Sequence, residues 1–219
     1  GIPVLVDAAA QLPPAANLRR FIEAGADLVT FSGGKAIGGP QASGILCGRR
    51  YLIMAAALQT LDLDVFYDLW APPMHFIDKT RLRGQPQHGI GRGCKAGKEE
   101  IIGLLTALRL FVEQDAFACR ARWRALMQEL ADGLRDLPHA RVQFLDEGEV
   151  PLVALDLEEA AARLGALELM KRLEHGTPAV FADPLELERG RVLFGPMSLK
   201  DGEPAQITER VRAALGRAN

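Results

Sequence analysis

With 219 residues, 48% of them hydrophobic and 25% charged, the chain is large enough to bury a substantial core in one or two domains. A formal net charge of −2 excludes a general nucleic-acid surface, and no apolar run is long enough to cross a bilayer or patterned as a signal peptide. Cys47, Cys94 and Cys119 form no CxxC pair, so free thiols in a reducing compartment, the cytoplasm by default, are expected in place of disulfides or a zinc site.

The first element is Ile2-Pro-Val-Leu-Val-Asp7, an apolar run that reads as a strand closed by a carboxylate. A helix is predicted from about Asn17 to Ala24, with Asn17 as N-cap and Gly25 as the stop. Leu28 to Phe31 then suits a short strand buried on both faces, and Ser32-Gly33-Gly34 ends it in a turn that carries Lys35. A strand–helix–strand unit of this kind brings Asp7 and Lys35 to one edge of a sheet, where the loops of open α/β sheets converge on ligands.

A lysine among glycines is a weak signal taken alone, because a solvated loop lysine and a phosphate-binding loop look similar. The phosphate loop fails on pattern, since G-x-x-x-x-G-K-[ST] requires Ser or Thr after the lysine and Ala36 stands there. What separates Lys35 from a solvated lysine is the upstream strand that ends in Asp7. An amine and a carboxylate on neighbouring strand ends are the side chains that pyridoxal 5′-phosphate enzymes require. The amine forms a Schiff base, and the acid keeps the pyridine nitrogen protonated so that the ring accepts carbanion electrons.

Further along, Ser43 to Cys47 reads as a third strand and Arg49 to Leu58 as a helix. Thr60 to Gly93 has no clear period, is broken by Pro72-Pro73 and Gly84-Gln-Pro-Gln-His-Gly89, and gathers Lys79, Arg81, Arg83, His88 and Arg92. It reads either as a solvated loop or as a segment that meets anions: a substrate carboxylate, a substrate phosphate, or the cofactor phosphate of a neighbouring subunit. His75 and His88 are its only histidines and its candidate acid–base groups. From Lys98 a three- and four-residue apolar spacing runs for about 40 residues, longer than an ordinary globular helix. The remainder reads as a small α/β domain. Its predicted strands lie near 141–145, 150–157, 179–182 and 191–194, with helices near 160–175 and 204–215. The expected division is 1–97 and 98–219.

Ala24-Gly-Ala-Asp-Leu-Val-Thr-Phe-Ser-Gly-Gly-Lys35, Gly39-Pro-Gln-Ala-Ser-Gly44 and Gly91-Arg-Gly-Cys-Lys-Ala-Gly-Lys-Glu-Glu-Ile101 together resemble fold-type I pyridoxal-phosphate enzymes. Within that class the likeness is to the family of bacterial selenocysteine synthase (L-seryl-tRNA selenium transferase), which includes amino-sugar-acid ammonia-lyases. The resemblance implies an α/β large domain with a three-layer, mostly parallel sheet, then a long connector helix, broken around Gln114 to Ala118, and a small C-terminal α/β domain. It implies pyridoxal 5′-phosphate on Lys35 with Asp7 as pyridinium partner, Ser32 on the cofactor phosphate, Ala9 against the ring face and Gln11 toward the ring hydroxyl. The activity implied is α,β-elimination with ammonia release from a small amino acid or amino-sugar acid, which carries a phosphate in some of its forms. Seryl-tRNA selenium transfer is the alternative, with tRNA as its partner, and a non-catalytic scaffold keeping the fold is a third. A homo-oligomer is implied. No arginine occupies Pro178-Ala-Val-Phe-Ala182, so a carboxylate-binding arginine is not carried over. Because Gly1 opens directly on the first strand, the chain is expected to be a C-terminal portion whose phosphate-binding loop and ring-stacking residue precede it.

Overall fold

A computed structural model describes residues 1–216, which divide into two compact units, 1–114 and 115 onward. The first unit is built on a three-stranded sheet ordered β1 (Leu5–Asp7), β2 (Leu28–Ser32), β3 (Gly44–Gly48). β1 and β2 are parallel, joined through α1 (Asn17–Glu23), as the strand–helix–strand reading requires. β3 pairs antiparallel to β2, so the sheet is mixed. Gly48, at φ +146, ends β3 where a Cβ would stand 2.2 Å from the Asp27 carbonyl oxygen, an approach only glycine permits.

One face of this sheet is covered. Val29 and Phe31, with the half-buried Val6, Ile45 and Cys47, pack under α1 and under α3 (Lys98–Glu113) through Leu18, Phe21, Ile22, Leu104, Leu108 and Phe111. The opposite face carries Leu5, Asp7, Thr30, Ser32 and Leu46, with Leu5 61% and Leu46 39% exposed. β2 is therefore buried on one face only, which corrects the expectation of burial on both. Asn17 is the first residue of α1 and not its cap; its Nδ2 donates to the Gln11 carbonyl at 2.7 Å and ties down the turn after β1. Gly25, at φ +105, provides the expected helix stop.

α2 (Arg50–Leu58) follows, and residues 60–97 are irregular apart from short 3₁₀ turns, as their proline and glycine content requires. The long helical period is realised as α3 and then α4 (Ala116–Leu134), interrupted at Gln114–Asp115. The Asp115 carboxylate accepts from the Phe117 and Ala118 amides at 2.9 and 3.1 Å, a side-chain cap that starts a new helix. Packing assigns α3 to the first unit, so the compact units meet after Gln114, sixteen residues beyond the start of that helical run at Lys98.

The second unit is an antiparallel sheet ordered β4 (Ala140–Leu145), β5 (Leu152–Leu157), β6 (Arg191–Phe194). α4, α6 (Ala166–Glu174) and α7 (Glu203–Gly216) cover one face through Met127, Leu130, Leu134, Leu155, Leu169, Leu173 and Val211. Two expectations are corrected here. The helix over 160–175 is split into α5 (Glu159–Ala162) and α6 by Arg163, which adopts a left-handed conformation at φ 51. Residues 179–182 lie in irregular backbone because the Val180 amide donates to Leu173 at the end of α6, leaving an isolated bridge between Asp183 and Leu193. The outer face of the sheet holds Asp156 between Arg141 and Arg191 in register, with Arg191 donating to both Asp156 and Glu186.

Candidate cofactor site

The parallel register sets Asp7 level with Thr30, so the last residue of β1 and the middle of β2 share a face. Asp7 Oδ1 accepts from the Ala9 amide at 3.0 Å and from the Thr30 hydroxyl at 3.4 Å. The first contact closes an Asx turn, which is how a strand can end on aspartate and reverse. Among the described residues no donor reaches Asp7 Oδ2. The carboxylate is thus oriented through one oxygen, with the other left as an acceptor at the C-terminal end of the strand.

Lys35 stands in the turn after β2, on the same edge, and its side chain is exposed. Among the described residues its Nζ makes no hydrogen bond or ion pair. The turn itself is held firmly. The Gly33 amide donates to Ser43, the Gly39 amide donates back to the Gly33 carbonyl at 2.8 Å, and Gln41 Nε2 donates to the Gly34 carbonyl at 3.1 Å. A Cβ on Gly34 would lie 2.8 Å from Gln41 Cα, so the two glycines are required by the close return of the loop. Lys35 is carried on a hairpin-like excursion between β2 and β3 that is cross-linked by these hydrogen bonds.

The other expected residues fall around this edge. Ser32 ends β2 half-buried on the Asp7 face, and Ala9 lies in the turn just beyond β1. Gln11 is exposed, its amide donating to Ala8 and its carbonyl accepting from Asn17. His75, His88, Arg92 and Lys95 are exposed in the irregular segment. His88, at φ 53, borders a cleft of about 500 Å³ with Arg83 and Gln59 and is held by its amide donating to Asp62. A cleft of about 480 Å³ in the second unit shares no residue with the Asp7–Lys35 edge. Its two arginines act as reciprocal helix caps, Arg172 donating to Ala214 near the end of α7 and Arg210 to Arg172 near the end of α6. Among the described residues no group of three or more His, Cys, Asp or Glu side chains could hold a metal ion, and no helix is long and apolar enough to cross a membrane.

The donor set fits pyridoxal 5′-phosphate: a carboxylate with one oxygen unengaged and an unpaired lysine, both at the C-terminal ends of adjacent parallel strands. Thr30, Gln41 and Asp27 make contacts that the sequence reading missed. Thr30 was submerged in an apolar run, although a polar side chain there is a signal, since the flanking Val29 and Phe31 face the core. Asp27 is buried, accepts from the Val4 amide at 2.7 Å and pairs with Arg49, and so locks the other end of the same strands.

Residues 3–64 match the family model described as L-seryl-tRNA selenium transferase. A solved structure of D-glucosaminate-6-phosphate ammonia-lyase superposes with a TM-score of 0.68, at 24% identity, over 99% of this chain and 50% of that one. A cysteine desulfurase from Thermococcus onnurineus superposes at 0.53 with 16% identity, over 99% of this chain and 53% of that one. The fold is therefore fold-type I, and the resemblance is to the selenium-transferase family. Among curated relatives, a 5′-C-glycyluridine monooxygenase-decarboxylase from Streptomyces is 31% identical over 94% of this chain and 45% of its own length. The D-glucosaminate-6-phosphate ammonia lyase of Salmonella typhimurium is 26% identical over 96% of this chain and 48% of its own. The chain thus spans about half the length of the curated relatives it matches.

Proposed function

We propose that this chain carries the lysine-bearing part of a pyridoxal 5′-phosphate-dependent lyase acting by α,β-elimination on a small amino acid or amino-sugar acid. The observation that supports it most is the pairing of Asp7 and Lys35 at the ends of adjacent parallel strands, with Asp7 Oδ2 unengaged. When bound, the cofactor supplies an electron sink for the carbon that bears the substrate amine. Lys35 Nζ would hold the cofactor, and once freed by a substrate amine it would be the base for the Cα proton. Asp7 Oδ2 holds a proton at the ring nitrogen. Ser32 would donate to the phosphate, Ala9 would pack on the ring and Gln11 would reach toward the ring hydroxyl. The basic segment holding Arg83, His88, Arg92 and Lys95 meets anionic groups of substrate or of a neighbouring copy's cofactor.

Elimination of a β-substituent followed by hydrolysis gives ammonia and a keto acid. Similarity does not choose between this reaction and selenium transfer to a seryl-tRNA, since an ammonia lyase at 26% identity and a selenium transferase at 28% match nearly equal shares of the chain; the net charge of −2 is what ranks the lyase first. A scaffold without catalysis would have no use for the Asp7 and Lys35 pair. The test is borohydride reduction of the whole protein with pyridoxal 5′-phosphate, followed by peptide mapping and an ammonia assay with phosphorylated amino-sugar acids. Label on the peptide containing Lys35 and ammonia release without RNA are expected. Label on another lysine overturns the cofactor assignment. Salt-sensitive binding of charged tRNA without ammonia release overturns the lyase reaction in favour of the transferase.

A further inference from the structure

We propose that Thr30 is a positioning residue for Asp7, holding the carboxylate plane in the orientation that presents its unengaged oxygen to the cofactor ring nitrogen. This rests on the assignment of Asp7 given under Proposed function and extends it to a residue on the neighbouring strand. Parallel register makes Asp7 and Thr30 direct neighbours on the face of the sheet away from the core, while Val29 and Phe31 are buried beneath. The Thr30 hydroxyl and the Ala9 amide both converge on Oδ1, at 3.4 and 3.0 Å. An amide alone closes the Asx turn but leaves the carboxylate free to rotate about Cβ–Cγ. A second donor on the adjacent strand restricts that rotation, because turning the carboxylate plane away from the position that satisfies both donors would lose both contacts at once.

Strand packing does not call for the hydroxyl. Valine has the same branched shape and at least as high a strand propensity, so a threonine at this half-exposed position adds a donor to a surface that valine would fill equally well. The distance of 3.4 Å is long for O–H···O, whose usual range is about 2.5–3.0 Å, so its effect is that of a weak orienting contact. Its loss is accordingly expected to matter several-fold and not by orders of magnitude.

The experiment measures dissociation constants of the whole protein for pyridoxal 5′-phosphate and for its 1-deaza analogue, in which C–H replaces the ring nitrogen. Wild-type protein, Thr30→Val and Thr30→Ser are compared, with thermal unfolding as a control for folding. Wild-type protein is expected to prefer pyridoxal 5′-phosphate. Thr30→Val should weaken that ligand by about three- to tenfold and leave the deaza analogue unchanged, and Thr30→Ser should restore the preference. Equal weakening of both ligands, or full preference retained in Thr30→Val, overturns the role of Thr30 while leaving Asp7 in place. No preference in the wild-type protein overturns the Asp7 assignment and the role of Thr30 with it.

Discussion

Replacing Gly34 with alanine tests whether the lysine turn is held in one geometry or only tolerated. A Cβ built at Gly34 lies 2.8 Å from Gln41 Cα and 2.6 Å from Gln41 Oε1, whereas ordinary contacts begin near 3.4 Å. The side-chain atom can rotate away, but the backbone atom cannot, so the two arms of the loop must separate by about 0.6 Å, taken as 3.4 minus 2.8. That movement also breaks the hydrogen bond from Gln41 Nε2 to the Gly34 carbonyl. Overpacking of about 1–3 kcal/mol and a lost hydrogen bond of about 1 kcal/mol together destabilise the turn by roughly 2–4 kcal/mol. Because the turn lies at the sheet edge and Val29 and Phe31 are untouched, the loss should fall on Lys35 presentation more than on the core. Gly34→Ala should therefore show at least a tenfold loss of borohydride-trapped cofactor on Lys35, with circular dichroism unchanged and a lowered melting temperature. Wild-type trapping together with an unchanged melting temperature would refute the claim that the returning arm constrains this turn.

Asp7→Asn preserves acceptors for the Ala9 amide and the Thr30 hydroxyl but removes the charge, so cofactor should remain bound while exchange of the substrate Cα proton slows by about 10²–10⁴-fold, measured by deuterium incorporation; near-normal exchange would exclude the role. In the second unit, hydrogen bonds from Arg191 hold the Asp156 carboxyl below its usual range, partly opposed by desolvation. A depressed folded-state value means that this stabilisation is present above the unfolded carboxyl value, about 3.9, and is lost as pH falls through the lower folded value. Arg191→Met should cost about 1–2 kcal/mol at pH 7 and flatten the decline in urea midpoint between neutral and acid pH, while parallel declines in variant and wild type would count against the pair.

Local chemistry made several features legible in the sequence alone. Gly25 stops α1 because a positive φ is decided within a few residues and glycine adopts it at little cost. The placement of Asp7 at the end of one strand and of Lys35 in the turn after its parallel neighbour was legible for the same reason, since each follows a short apolar run and is followed by turn residues. The antiparallel entry of β3, the open face of β2 and the grouping of α3 with the first unit depended on partners far along the chain. Asn17 has the composition of a cap, yet its amide is taken by Gln11. Residues 179–182 have the composition of a strand, yet the Val180 amide is taken by Leu173. Thr30 is the sharpest case, since only the register of two strands sets its hydroxyl beside Asp7. Turn and cap preferences are settled within a few residues of sequence, whereas the choice of hydrogen-bond partner and of buried face is made between segments that meet only when the chain has folded.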